Sequence, residues 1–315
     1  MEKQFCDSEG IVCFFQEKRG QKDYAGIEES NSMEADFTLV PIGGLGNRIN
    51  AICSSIAYCK QKNKSLNILW FKDPGLNCSI NELMYIDPRL TNVQMVDAKF
   101  SDFIFRANPR KKNFWMPKIF QYFLFDRRMY ENEVYKVVST FEKPDFGCID
   151  DFKHIFMVSY WRFWLDPDMW NSIVIAPQIQ QKVSEITTSF KDNKRIIGIH
   201  IRRTDNPYSI KESPTGLFIK KIQEEIDIYK DDVRFYLASD SLEEKKTIVT
   251  TFGNKIITSM KQPSRNNKEG IIDAFVEMNV LSQTDKIYAP FCTSFSETAH
   301  LLSNNEFEVL SIIDS

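Results

Sequence analysis

From Arg195 onward the chain alternates short, uninterrupted apolar runs with longer stretches in which apolar residues recur every three or four positions. The short runs cover 195–201, 233–238, 255–258, 286–290 and 307–312, and the periodic stretches 214–230, 242–252, 270–282 and 295–303. A brief continuous apolar run reads as a buried strand, and a three-to-four periodicity reads as a helix with one apolar face. Five strands separated by four helices predict a mostly parallel, Rossmann-like sheet over residues 191–315. Ser213 is expected to cap the first of these helices, with Pro214 in its first turn.

The pattern upstream is less regular. Strands are expected near 37–42, 66–71, 133–138 and 154–160. A helix should lie between the first two, with Ile49, Ile52, Cys53, Ile56 and Ala57 on its apolar side. Residues 36–190 therefore read as a second α/β domain of a two-domain chain. Residues 1–35 are polar and aperiodic apart from Ile11 to Phe15 and read as an N-terminal extension, with Met33 as an alternative start.

Four segments of this framework carry chemistry. The strand from Arg195 delivers His200, Arg202, Arg203 and Asp205 to one strand end. In doubly wound sheets ligands bind at the carboxyl ends of strands, where a guanidinium fork can hold a diphosphate; the alternative is a surface salt-bridge cluster. If the pleat persists, Arg202 and His200 share one side and Arg203 points to the other, as an internal ion-pair partner of Asp240. The first predicted strand runs into Gly43, Gly44, Gly46, Asn47 and Arg48 at the start of a helix. Strand, glycine loop and helix N-terminus make a phosphate cradle, although the same glycines also suit a plain tight turn. The motif lacks the last glycine of the dinucleotide fingerprint and the Gly-Lys-Ser/Thr of a P-loop. Asp240 ends the strand 233–238, either orienting an arginine of the neighbouring strand or capping the helix from Ser241. Ser294 followed by Glu297 reads as a capping box, so the last helix begins at the hydroxyls of Thr293, Ser294 and Ser296.

Composition removes several classes of function. A net charge of −3 over 315 residues gives no global attraction to nucleic acid or anionic lipid. Seven scattered cysteines without a Cys-x-x-Cys pair suit reduced thiols in a cytoplasm, and three histidines do not furnish a zinc cluster. The longest apolar run is far short of the ~20 residues of a membrane span. Residues 103–130 are dense in aromatics, among them Phe114, Trp115, Phe120, Tyr122, Phe123 and Phe125, and in cations, with Arg106, Arg110, Lys111, Lys112, Lys118, Arg127 and Arg128. Such a mixture suits peripheral membrane contact; the simpler expectation is an irregular, half-buried segment with solvated charges at its rim. Asp166-Pro-Asp168 has an Asp-x-Asp spacing that can hold a metal, but between Trp164 and Trp170 it reads as a turn and helix start.

In order and content these segments resemble the fucosyltransferase superfamily: core and protein O-fucosyltransferases, nodulation fucosyltransferases and bacterial α1,2-type enzymes. The resemblance spans 36–312 and is strongest over His200–Asp205 and from Gly270 through Asp285 to Ala299. It implies a GT-B-type architecture of two facing Rossmann-like α/β domains, with residues 36–190 on the acceptor side, and an inverting, metal-independent transfer from a nucleotide sugar, GDP-fucose, to a glycan acceptor. Arg202 then neutralises the departing diphosphate. His200 lies along the nucleotide or is a core imidazole. Thr293, Ser294 and Ser296 complete the phosphate site. Counting back from Leu281, the residue in the family's base-reading position is Glu277 where the family has Asp, and Asp273 competes one turn earlier. Asp205 is the candidate general base, or it orients Arg202 and leaves the proton to Glu212 or to a residue of the first domain. Asn206 stands where core enzymes carry lysine. The alternatives are another donor sugar, a nucleotide-sugar-binding protein without turnover, and an oxidoreductase using the Gly43–Gly46 loop.

Overall fold

The computed structural model describes residues 35–140, 146–166, 168–191 and 193–313; the expected extension of residues 1–35 lies almost wholly outside them. In the first half, strands β1 (Phe37–Pro41), β2 (Leu66–Trp70), β3 (Met84–Ile86), β4 (Val93–Asp97), β5 (Arg127–Met129), β6 (Ile155–Ser159) and β7 (Ile173–Ile175) follow in order. Helices α1 (Leu45–Lys62), α2 (Phe100–Phe105), α3 (Met116–Leu124), α4 (Glu131–Thr140), α5 (Gly147–Asp150) and α6 (Pro177–Thr188) separate or follow them. Five of the strands form a parallel sheet in the order β4-β2-β1-β6-β5, while β3 and β7 make a small antiparallel ribbon.

The second half contains β8 (Arg195–Ile201), α7 (Pro207–Glu212), α8 (Thr215–Tyr229), β9 (Val233–Ser239), α9 (Leu242–Phe252), β10 (Ile256–Ile257), α10 (Lys268–Leu281), β11 (Lys286–Pro290), α11 (Ser294–Ser303) and β12 (Glu306–Leu310). Its parallel sheet runs β10-β9-β8-β11-β12. The five strands expected here all form, and so do their helices; β8, β9 and β11 are buried along nearly their whole length and need no alternation to declare themselves, while β10 and β12 at the sheet edges are only partly buried. Ile197, Ile199 and Ile201 pack with Phe218, Ile222 and Ile248 on one face. Tyr236, Ala238, Ile287 and Ala289 on the other join a larger core with Ile271, Phe275 and Ala299. That same core continues into the first half through Phe37, Leu39, Ile49, Ile52, Ile56 and Met157, with α1 against α11 and α6 against α10.

Several expectations fail locally. Residues 133–138, read as a strand, lie in α4: Val134, Val137 and Val138 sit at helical spacing against the core, and burial of that face outweighs the β preference of valine. The sheet edge there belongs to the three-residue β5, which was not expected. Ser213 does not cap α8. Its hydroxyl donates to Leu310 O at 2.5 Å and accepts from Phe291 N at 2.8 Å, so Pro214 occupies the cap position. Residues 103–130 are not an irregular half-buried segment but hold the end of α2, all of α3 and β5, with many large apolar side chains outward.

Candidate functional site

At the end of β8 the pleat separates the two arginines. Arg203 Nε meets Glu244 Oε1 at 3.2 Å, and its Nη2 donates to Ser213 O and Thr215 Oγ1, both at 2.9 Å. Its side-chain partner is therefore Glu244, not Asp240 as expected, since Glu244 rises from the first turn of α9 directly beneath it. Asp240 instead accepts the backbone N–H of Arg203 at 2.7 Å and the hydroxyl of Thr204 at 2.6 Å, tying the ends of β8 and β9 together. Ser241 is the cap of α9, accepting from Glu244 N at 3.3 Å, so Asp240 is not the cap, and on the neighbouring strand it holds the backbone of Arg203 rather than its guanidinium.

Arg202 turns toward Asp205, donating from Nε at 2.8 Å. Arg265, from the loop before α10, closes on the same carboxylate and lies 3.6 Å from Asp240. Partial burial pushes the Asp205 carboxyl up, but the hydrogen bonds and charges of Arg202 and Arg265 together outweigh it and hold the group below the usual carboxylate range. Such an acid holds an arginine well and accepts a proton poorly. Among the described residues only the Nε of Arg202 is engaged, leaving its terminal fork available to an anion. Glu212 is buried in the last turn of α7, against Lys211 at 2.9 Å, with its carbonyl accepting Ile312 N–H.

His200 sits one pleat earlier, buried, with Nδ1 3.0 Å from Ser296 Oγ and its ring 4.9 Å from that of Phe295. Burial and the nearby arginines keep it neutral, against the pull of Asp240. It couples the strand end to the first turn of α11. There Thr293, not Ser294, is the cap, accepting from Phe295 N at 3.3 Å. The expected Ser294–Glu297 box does not form because Glu297 pairs with Arg162 at 3.1 Å, across from the end of β6.

The glycine loop meets the same turn. Gly43 has φ +83°, open to glycine at little cost, and Gly44 precedes α1 with no side-chain cap. A Cβ on Gly46 would stand 2.5 Å from Ser294 O, so only glycine lets α1 and α11 approach this closely. Asn47 lies beside Gly43, within 3.1 Å of where a Cβ there would be. Arg48, expected at the donor, is turned inward and 1% exposed: it donates to Gly43 O at 3.0 Å, Phe71 O at 2.7 Å and Asp73 at 2.5 Å, over the ring of Trp70. Its acceptors all lie at the ends of β1 and β2, so it stiffens the loop from behind.

Glu277 and Asp273 both line a cavity of about 240 Å³, together with Tyr236 and Val276. Glu277 pairs with the buried Lys245 at 2.6 Å; Asp273 lies 3.3 Å from Lys261 and 3.7 Å from Lys182. Burial pushes the Glu277 carboxyl up to about 7, against the Lys245 ammonium that pulls it down, with Asp273 and Asp240 adding repulsion. Asp168 N–H donates to Asp166 Oδ1 at 2.8 Å, an Asx turn leading into a short helix, and Pro167 lies outside the described residues. Among the described residues no group of three His, Cys, Asp or Glu stands close enough to hold a metal.

Arg265 and Arg162 escape sequence reasoning. Arg162 follows a buried strand as Arg202 does, so the same strand-end rule applied to β6 would have found it. Arg265 lies in an irregular loop and joins the cluster only through tertiary contact.

No family model and no curated protein matches the chain in sequence. In structure it is similar to fucosyltransferase NodZ from Bradyrhizobium, at 15% identity and TM-score 0.57 over 85% of this chain and 92% of that one. NodZ α1,6-fucosyltransferase soaked with GDP-fucose matches at 16% identity and TM-score 0.57, covering 85% and 92%. POFUT1 in complex with GDP-fucose matches at 9% identity and TM-score 0.53, covering 89% and 99%. The chain therefore has the GT-B-type fold of these fucosyltransferase structures.

Proposed function

We propose that the protein is an inverting glycosyltransferase that takes fucose from GDP-fucose, without a metal, and passes it to a glycan acceptor. The observation that carries this reading is Arg202, its fork free and its Nε fixed by Asp205, at the end of the strand whose His200 touches the first turn of α11. In the transfer the acceptor oxygen attacks the anomeric carbon and the bond to the β-phosphate oxygen breaks, its electron pair leaving with GDP. The acceptor proton departs to a base or to solvent. A positive fork preorganised where that negative charge grows lowers the barrier, and the α11 N-terminus and glycine loop add backbone donors. Asp205, held below the ordinary carboxylate range, serves here as the positioning residue for Arg202. The cavity at Glu277 is the base site, where a carboxylate accepts the paired N–H donors of guanine.

Titration calorimetry tests the reading. GDP and GDP-fucose should bind with and without chelator, and UDP should bind at least about tenfold more weakly, since uracil lacks the paired donors. Equal affinity for GDP and UDP would remove guanine recognition, and strict dependence on manganese or magnesium would return Asp166 and Asp168 to contention.

A further inference from the structure

Helix α3 is built inside out. Its inward positions are Pro117 and Gln121, whereas Ile119 and Phe123 stand 62% and 79% exposed. Gln121 fixes that rotation, donating to Ala107 O at 2.8 Å and accepting from Tyr130 Oη at 2.8 Å, so turning the apolar side inward would break two hydrogen bonds, the first of them buried. Ahead of it Phe114 and Trp115 both have positive φ, 53° and 58°, a conformation bulky side chains rarely adopt, and it holds Phe114 85% exposed. Soluble surfaces seldom present so many large apolar groups together, and the usual helix shows its polar side to water.

The charge on this surface says what covers it. Between residues 100 and 128 seven Lys and Arg stand against two Asp, in a chain whose net charge is −3; Asp102 pairs with Arg106 and Glu131, just beyond, with Arg110, which leaves the lysines as the outward charge. Lys111, Lys112 and Lys118 are exposed around the aromatic side chains. A second copy of the chain would set two cationic patches face to face, which costs energy, while anionic headgroups complement them.

We propose that the α2–α3 surface docks the protein onto an anionic lipid bilayer, with Phe114, Trp115, Ile119 and Phe123 entering the headgroup–acyl boundary and the lysines resting on the headgroups. Phe103 of the same surface packs on Phe71 at 5.0 Å, and Phe71 O accepts from Arg48 behind the glycine loop. Docking thus occurs beside the strand ends of the first sheet. This inference stands independently of the transferase reading.

The test uses the full chain with phosphatidylcholine vesicles and with vesicles that also contain phosphatidylglycerol. Binding should favour the anionic vesicles, and acyl-brominated lipid should quench tryptophan emission, a quench that Trp115→Phe abolishes. The double variants F114S/F123S and K111E/K112E should each weaken vesicle binding at least about tenfold. Both should keep the wild-type melting temperature and GDP affinity, which separates a failure of docking from a failure of the nucleotide site. Absence of binding to anionic vesicles, or quenching that survives Trp115→Phe, would overturn the proposal. So would light scattering that shows a dimer dissociated by F114S/F123S, which would make the surface a self-association face.

Discussion

Arg202 carries the proposed chemistry on a single geometric fact: one nitrogen is committed to Asp205 and the planar fork is left for an anion. Replacing it with lysine keeps the charge and loses the fork, so Arg202→Lys should fold as the wild type while turnover falls at least about a hundredfold. Retention of more than half the wild-type rate would take Arg202 out of the mechanism. Glu277 makes a different prediction, in pH. Its carboxyl is raised to about 7, and guanine's donors need the ionised form, so a proton must leave before GDP binds. GDP affinity should therefore fall as pH drops through 7, by about tenfold between pH 8 and pH 6. Glu277→Gln should cost about 1 to 3 kcal/mol of GDP binding and flatten that profile. If calorimetry finds instead that Asp273→Asn cripples GDP binding while Glu277→Gln leaves both affinity and pH profile intact, the base is read one helical turn earlier.

At the scale of elements, the site depends on α1 and α11 meeting at Gly46 and Ser294. Gly46→Ala puts a methyl group against a backbone carbonyl, so the helices must part; stability should fall by about 1 to 3 kcal/mol and GDP binding with it. Gly44 is the contrast, with open space around its Cβ position and an ordinary φ of −70°. Gly44→Ala should melt with the wild type; weakened GDP-fucose binding in that variant places the phosphates on the loop, and unchanged binding would make the loop a tight turn. The elements differ in how far the sequence declares them. Strands β8, β9 and β11 are legible because their runs of Ile, Leu, Tyr and Ala are apolar on both faces. Helix α4 is misread because Val137-Val138 looks like a strand until Val134, one turn earlier, is seen to share their face. Three-residue β5 is hidden among Arg127 and Arg128, whose charges mask a strand that exists only by pairing with β6.

For the molecule as a whole, what joins the halves is less legible than what builds each of them. The common core through α1, α6, α10 and α11, the inward turn of Arg48, and the reach of Arg265 and Arg162 all depend on which surfaces face one another. Periodicity along one chain does not encode that. By contrast, Asp205 and Arg202 lie within four positions of sequence, so local spacing alone brings them together, though it leaves open whether the carboxylate is a base or orients the arginine. The central claim, that this assembly turns over GDP-fucose, is tested most directly by following GDP released from GDP-fucose in the presence of chelator and without any acceptor. Slow release by the wild type, saturable in GDP-fucose and lost in Arg202→Lys, is the expected result. GDP-fucose that binds but yields no GDP above the enzyme-free rate, or that is cleaved equally by Arg202→Lys, would contradict it.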